Sequence, residues 1–194
     1  YRQQVYATVS GLIATHRGEK PHNSGRKGTL ILLTSGTTGT PKGARRRSGD
    51  GPGALVAILG GVPWRVGETT VVAAPMFHAW GFFQLVFSAM MACTIVTRRK
   101  FDPEATLELI DRYRATGLGV VPVMIERIMA LPADVRRRYN CGSLRFAAAS
   151  GSRMRGDVVT AFMDEFGEIV YNNYNATETG MVTIAKPEDL RAAP

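Results

Sequence analysis

Residues 34–43 read Thr-Ser-Gly-Thr-Thr-Gly-Thr-Pro-Lys-Gly. A run so dense in glycine and hydroxyl side chains offers unhindered amides and hydroxyls, and Lys42 adds a cation, the combination that folds over phosphates. Spacing excludes a Walker loop. Counted from Gly36, that pattern requires Gly at position 41 and Ser or Thr at 43, whereas Pro41 and Gly43 stand there. The preceding Thr29-Leu30-Ile31-Leu32-Leu33 is short, apolar and partly β-branched. It predicts a buried strand over 29–34 whose end carries the loop, the place where open α/β sheets bind ligands.

A second polar cluster, Tyr174-Asn175-Ala176-Thr177-Glu178-Thr179-Gly180, also follows a strand-like run. Tyr174 offers an aromatic face for a base, Thr177 a hydroxyl for a phosphate, and Glu178 a hard oxygen ligand for Mg²⁺. Cys93 and Cys141 stand alone, with no second cysteine nearby for a metal knuckle or a redox pair.

The elements that must position these clusters alternate. Strand-like runs at 29–34, 70–75, 94–97, 118–121, 144–149 and 168–174 are separated by helix-like ones, which predicts parallel β-α-β units and a sheet covered on both faces. The clearest helix starts at Asp102-Pro103, an N-cap followed by proline at the first helical position, with Glu104 in the first turn. Thr106, Leu109, Ile110 and Tyr113 then recur at helical spacing as its buried face, and Gly117 closes the segment. Another helix is predicted over 158–166, ended by Gly167. The stretch from Thr69 to Thr97 carries no charged side chain. Pro75, His78, Gly81 and Gln84 interrupt it, which favours a buried β-α-β unit, with a helix over 81–92, over a membrane span. Residues 1–28 read as a polar lead-in segment, and 29–194 as part of one domain.

The chain has 194 residues, 45% of them hydrophobic, enough for a substantial core. Its formal net charge is +8, concentrated in Arg45-Arg46-Arg47, Arg98-Arg99-Lys100 and Arg136-Arg137-Arg138. Such clusters are either solvated faces or attractors of polyanions. No aromatic residues interleave with them and no nucleic-acid-binding signature appears, so no nucleic-acid partner is expected. Isolated cysteines and the lack of a signal peptide point to the cytoplasm. The chain begins at Tyr1 and ends at Pro194 without an obvious closing element, and is expected to be a fragment.

Taken together, the motifs resemble the adenylate-forming superfamily of acyl-CoA synthetases, acyl-AMP ligases, luciferases and peptide-synthetase adenylation domains, and most of all a bacterial fatty-acyl-CoA synthetase. Thr34 to Gly43 resembles its phosphate loop. Tyr174 to Glu178 resembles its Tyr-Gly-x-Thr-Glu motif. Phe77-His78-Ala79-Trp80-Gly81 resembles its aromatic-His signature at the acyl pocket. Val121-Pro122-Val123 and Ala149-Ser150-Gly151-Ser152 fall where the family has a Val-Pro segment and a small-residue nucleotide loop. The resemblance covers the chain from about residue 29 and implies an α/β fold, a mostly parallel sheet flanked by helices, forming part of the large N-terminal domain.

The resemblance also implies roles. Thr34, Ser35, Gly36, Thr37, Thr38 and Gly39 would hold the β- and γ-phosphates of ATP, with Lys42 neutralising the pyrophosphate. Ser150, Gly151 and Ser152 would line the adenine side and Tyr174 would stack on the base. Thr177 would touch the α-phosphate, Glu178 would bind Mg²⁺, and His78 would gate or line the acyl site. Asn175 replaces the usual glycine of the motif; asparagine tolerates positive φ, so the turn there is expected to persist. The implied activity joins a carboxylic acid to AMP and then to the thiol of CoA. The family's ribose-binding motif, hinge acid and C-terminal-domain lysine do not occur in these residues, so the piece alone is expected to turn over poorly or not at all.

Phe77, Trp80, Phe82, Phe83, Leu85, Phe87, Met90 and Met91 are either an apolar acyl lining or ordinary core. As a lining, and with no Asp between 78 and 85 to pair an amine, they favour a fatty acid. The basic surface suits CoA or a peripheral contact with anionic lipid. Two alternatives stand beside this reading: an acyl-AMP ligase that passes its product to an acyl carrier protein, and a nucleotide- or acyl-binding module without catalysis.

Overall fold

The computed structural model describes residues 8–20, 25, 31–34, 42–45, 59–176 and 180–193. Its centre is a six-stranded sheet built from β3 (Thr69–Val72), β4 (Thr94–Thr97), β5 (Gly117–Val120), β6 (Phe146–Ser150), β7 (Val170–Ala176) and β8 (Gly180–Ala185). The spatial order is β4-β3-β5-β6-β7-β8. Every pair is parallel except β7 with β8. The predicted α/β class and its mostly parallel sheet are thus the observed ones.

The described helices are α1 (Val9–Thr15), α2 (Ala79–Met90), α3 (Pro103–Tyr113), α4 (Pro122–Met129), α5 (Ala133–Arg136), α6 (Gly156–Phe166) and α7 (Pro187–Ala192). Two cores form because strand side chains alternate between faces. Ala147 and Ala149 of β6 join Leu107 and Ile110 of α3, Ile125 and Ile128 of α4, and Phe162 of α6 in one core. Phe146 and Ala148 of the same strand join Trp64 and, from α2, Trp80 and Phe87 in the other. The uncharged 69–97 stretch is therefore β3-α2-β4 within the sheet, as expected, and no helix among the described residues is long and apolar enough to cross a membrane.

Local signals explain the helix ends. Asp102 accepts a hydrogen bond from the Ala105 amide at 2.8 Å and Pro103 opens α3. Gly167 follows α6 as its C-cap. Three expectations need correction. The buried face of α3 includes Leu107, while Tyr113 is exposed. Arg114, with φ 49°, caps this helix, and Gly117 instead begins β5. The strand expected over 29–34 is not part of the parallel sheet. Its described part, β1 (Ile31–Thr34), pairs antiparallel with β2 (Lys42–Arg45) as a separate two-stranded sheet. Thr34 is registered with Lys42, and a connection this short cannot make the crossover that parallel pairing requires.

Candidate functional site

β4 lies on one side of β3 and β5 on the other, so strand order reverses between β3 and β5. In open α/β sheets ligands enter the crevice at the carboxyl ends of the strands where that reversal occurs. Several of the sequence-predicted residues stand on loops or strand ends at this edge, whereas Thr34 and Lys42 lie in the separate β1-β2 sheet. After β3 the chain runs through Pro75, Phe77 and His78 into α2. After β5 it runs through Val121 and Pro122 into α4, after β6 through Gly151 and Ser152, and near the end of β7 stands Tyr174.

His78 is the N-cap residue of α2, in extended conformation, and makes no side-chain capping bond. It is exposed, and its ring lies 4.4 Å from that of Phe77, itself 85% exposed. Two contacts hold this corner. Gly81 packs α2 so tightly on the strand-end turn that a Cβ there would lie 2.2 Å from the Pro75 carbonyl oxygen. The indole nitrogen of Trp80 donates to the Val120 carbonyl at 2.8 Å, which fastens the start of α2 to the end of β5.

On the other side of the crevice, Ser150 is buried and its hydroxyl donates to the Asn173 carbonyl at 2.7 Å. The Asn173 side-chain amide donates to the carbonyls of Ala149 and Tyr171 at 3.2 and 3.1 Å. These bonds lock β6 to β7 at the point where Gly151 and Ser152 turn out as exposed residues and Tyr174 projects, 66% exposed. Ser150 thus braces the edge, while Gly151, Ser152 and Tyr174 are exposed beside it. Asn175 corrects another expectation. It lies within β7, and the non-glycine residues with positive φ among those described are Ala92 and Arg114. The irregularity falls on the partner strand: Tyr174 pairs with Thr183 but Asn175 with Met181, leaving Val182 as the extra residue of a bulge.

Ser35, Gly36, Thr37, Thr38, Gly39, Thr177 and Glu178 lie outside the described residues. Thr34 and Lys42 are described as backbone, at the end of β1 and the start of β2. Thr177 and Glu178 fall between the last residue of β7 and the first of β8. Among the described residues no group of three or more His, Cys, Asp or Glu side chains could hold a metal ion.

The apolar residues of α2 and its flanks divide. Trp80 and Phe87 are buried in the second core, with Phe83 and Met91 packed against it, whereas Phe77 and Met90 are exposed. The basic clusters divide as well. Arg136 is a clamp, holding Glu165 at 2.8 Å and the carbonyls of Met129 and Leu131. Arg98, Arg99 and Lys100 are exposed at the end of β4, on the edge that carries His78.

One buried polar residue stands apart from the apolar helix around it. Gln84 lies on the buried face of α2, 0% exposed, between the aromatic positions. Its signal is periodicity: Trp80, Gln84 and Ser88 fall at successive four-residue steps, two polar residues on the inward stripe of an apolar helix.

A family model described as AMP-binding enzyme matches residues 4–194. A feruloyl-CoA synthase from an Amycolatopsis species is 31% identical over 150 residues, 77% of this chain and 30% of that protein. The inhibitor-bound N-terminal domain of FACL13 from Mycobacterium tuberculosis superposes with a TM-score of 0.71 at 26% identity, over 85% of this chain and 42% of that one. ATP-bound MatB from Rhodopseudomonas palustris superposes with a TM-score of 0.68 at 25% identity, over 81% of this chain and 31% of that one. The chain spans about 30% of the length of the curated relatives it matches. With the strand order, the edge and the motifs in agreement, the chain belongs to the AMP-binding enzyme family.

Proposed function

We propose that the protein containing this chain activates a carboxylic acid with ATP and transfers the acyl group to CoA. The observation that supports this reading is that His78, Ser152 and Tyr174 stand at or just past the carboxyl ends of β3, β6 and β7, parallel strands of one sheet whose order reverses between β3 and β5. In the first step a carboxylate oxygen attacks the α-phosphorus of ATP, the bond to the β-phosphate bridging oxygen breaks, and pyrophosphate leaves. In the second the thiolate sulfur attacks the acyl carbon, and AMP departs with the carboxylate oxygen. Neither step needs a protein nucleophile, so this chain's task is alignment and charge neutralisation.

In this reading Tyr174 stacks on adenine beside Gly151 and Ser152, and the amides and hydroxyls of Thr34 to Gly39 cradle the phosphates. Lys42 takes the charge of the departing pyrophosphate, Thr177 contacts the α-phosphate, and His78 lines the acyl side. Mg²⁺ held by Glu178 would supply charge neutralisation at the phosphates. CoA is the proposed acceptor, and Arg98, Arg99 and Lys100 give its phosphates a cationic approach on the same edge.

The acid has an apolar body. A fatty acid is the first reading, supported by the uncharged α2 segment after His78. A shorter, ring-bearing acid is the second, because Trp80, Phe83, Phe87 and Met91 pack into the core and are not free to line a long channel. Acid-dependent exchange of labelled pyrophosphate into ATP, with the protein expressed from its complete reading frame, tests the activity. Exchange that needs both an acid and Mg²⁺ supports it; an absence of exchange across fatty and aryl acids overturns it.

A further inference from the structure

Asn173 sits in β7 directly opposite Ser150, the last residue of β6, and both are buried, at 3% and 1% exposed. Each is followed at once by a residue that leaves the sheet. Gly151 turns out of β6 with φ 108°, a left-handed conformation that glycine adopts freely, and Tyr174 emerges from β7 at 66% exposed. Asparagine is depleted in strands, so its place here calls for a reason other than strand propensity.

Its side-chain bonds supply one. The exchange across the two strands is reciprocal: Ser150 donates its hydroxyl to the Asn173 carbonyl, and the Asn173 amide donates back to the Ala149 carbonyl while also reaching the Tyr171 carbonyl of its own strand. The backbone ladders hold the next residue less well. Pairing of β6 with β7 stops at Ser150 and Asn173, one position short of Tyr174. On the other side, the register with β8 shifts between Tyr174 and Asn175. Tyr174 therefore stands past the end of one ladder and at the irregular step of the other, and the Asn173 amide ties down the residue from which it projects.

We propose that Asn173 is a positioning residue for the nucleotide, setting the gap between the Tyr174 ring and the Gly151-Ser152 turn. This rests on the reading of the edge in which adenine lies between those two walls. Stacking is sensitive to that gap, because a separation too wide by about 0.5–1 Å forfeits roughly a quarter to a half of the contact energy. Being buried, Asn173 acts on the base only through its neighbours.

The test measures the KM for ATP and for the acid in pyrophosphate exchange by the full-length protein, Asn173→Val, Tyr174→Ala and the double variant. Valine suits a strand and removes both amide donors. Asn173→Val is expected to raise the KM for ATP roughly tenfold and to leave that for the acid unchanged. On the Tyr174→Ala background it should add nothing, since the ring it positions is gone. If Asn173→Val fails to fold, Ser150→Ala, which removes the opposing bond, carries the same comparison. A fall in kcat with both KM values unchanged, or a rise in both together, would mark a merely structural residue. An effect on ATP that persists without Tyr174 would mean that Asn173 does not act through it. Either result overturns the proposal and leaves the activation reading intact. An unchanged KM for ATP in Tyr174→Ala would overturn the stacking reading and the proposal together, and an absence of exchange in the wild type would remove the activation reading as well.

Discussion

The Trp80 indole nitrogen and the Val120 carbonyl oxygen, 40 positions apart in sequence, meet across 2.8 Å in a buried hydrogen bond. This bond ties the helix that follows His78 to the end of the strand beside the crevice, so the His78 side of the edge inherits its position from the core. Trp80→Phe keeps an aromatic ring but leaves the Val120 carbonyl without its donor. We expect a loss of about 1–3 kcal/mol in denaturant unfolding, the cost of orphaning a buried acceptor. Unchanged stability would mean that the bond does not hold the corner.

Gly81 opposes two effects of known sign. Helix propensity alone would make Gly81→Ala stabilising by about 1 kcal/mol. The close approach to the Pro75 carbonyl reverses that sign, and we expect a loss of about 1–3 kcal/mol from overpacking. Thermal unfolding of the variant decides between them.

Cys141 gives a pH dependence. Burial, reinforced by the negative charges of Asp111 and Glu165, pushes its thiol up to about 12. The folded state therefore prefers the protonated thiol more than the unfolded state does. The contribution is fully present below the unfolded pKa of about 8.5 and is lost as pH rises towards 12, at up to about 1.4 kcal/mol per pH unit. Denaturant midpoints measured from pH 8 to 11 should fall more steeply for wild type than for Cys141→Ala. Parallel profiles would contradict the assignment.

The phosphate-handling residues predict a separation of effects. Lys42→Ala and Glu178→Gln in the full-length protein should each slow pyrophosphate exchange by about 100-fold or more, as removal of a charge-stabilising group does elsewhere. Glu178→Gln should also raise the Mg²⁺ concentration needed for half-maximal exchange, and Lys42→Ala should not. An unaltered Mg²⁺ titration for Glu178→Gln would remove its metal role.

The legible part of the fold is the part written in local chemistry. β4 was readable from Thr94-Ile95-Val96-Thr97, and α3 from Asp102-Pro103 and its periodic Thr106 and Ile110. What escaped depends on pairing. Lys42-Gly43-Ala44-Arg45 has little intrinsic strand character and becomes β2 only by registering with β1. Asn175 looked like a turn residue by analogy with glycine, but pairing with Met181 keeps it extended and displaces the irregularity to Val182. In the site, His78 and Tyr174 stood out by motif. The Ser150–Asn173 bonding that braces β6 against β7 did not, because it is visible only once the two strands are paired.

The measurement closest to the central claim follows oxygen. Full-length protein is supplied with an acid labelled with ¹⁸O in its carboxylate, together with ATP, Mg²⁺ and CoA, and the products are analysed by mass spectrometry. Attack of the carboxylate on the α-phosphorus followed by thiol displacement places one ¹⁸O in AMP and none in pyrophosphate. Label in inorganic phosphate with ADP as the nucleotide product, or thioester formed with unlabelled AMP, would contradict an acyl-adenylate at this edge.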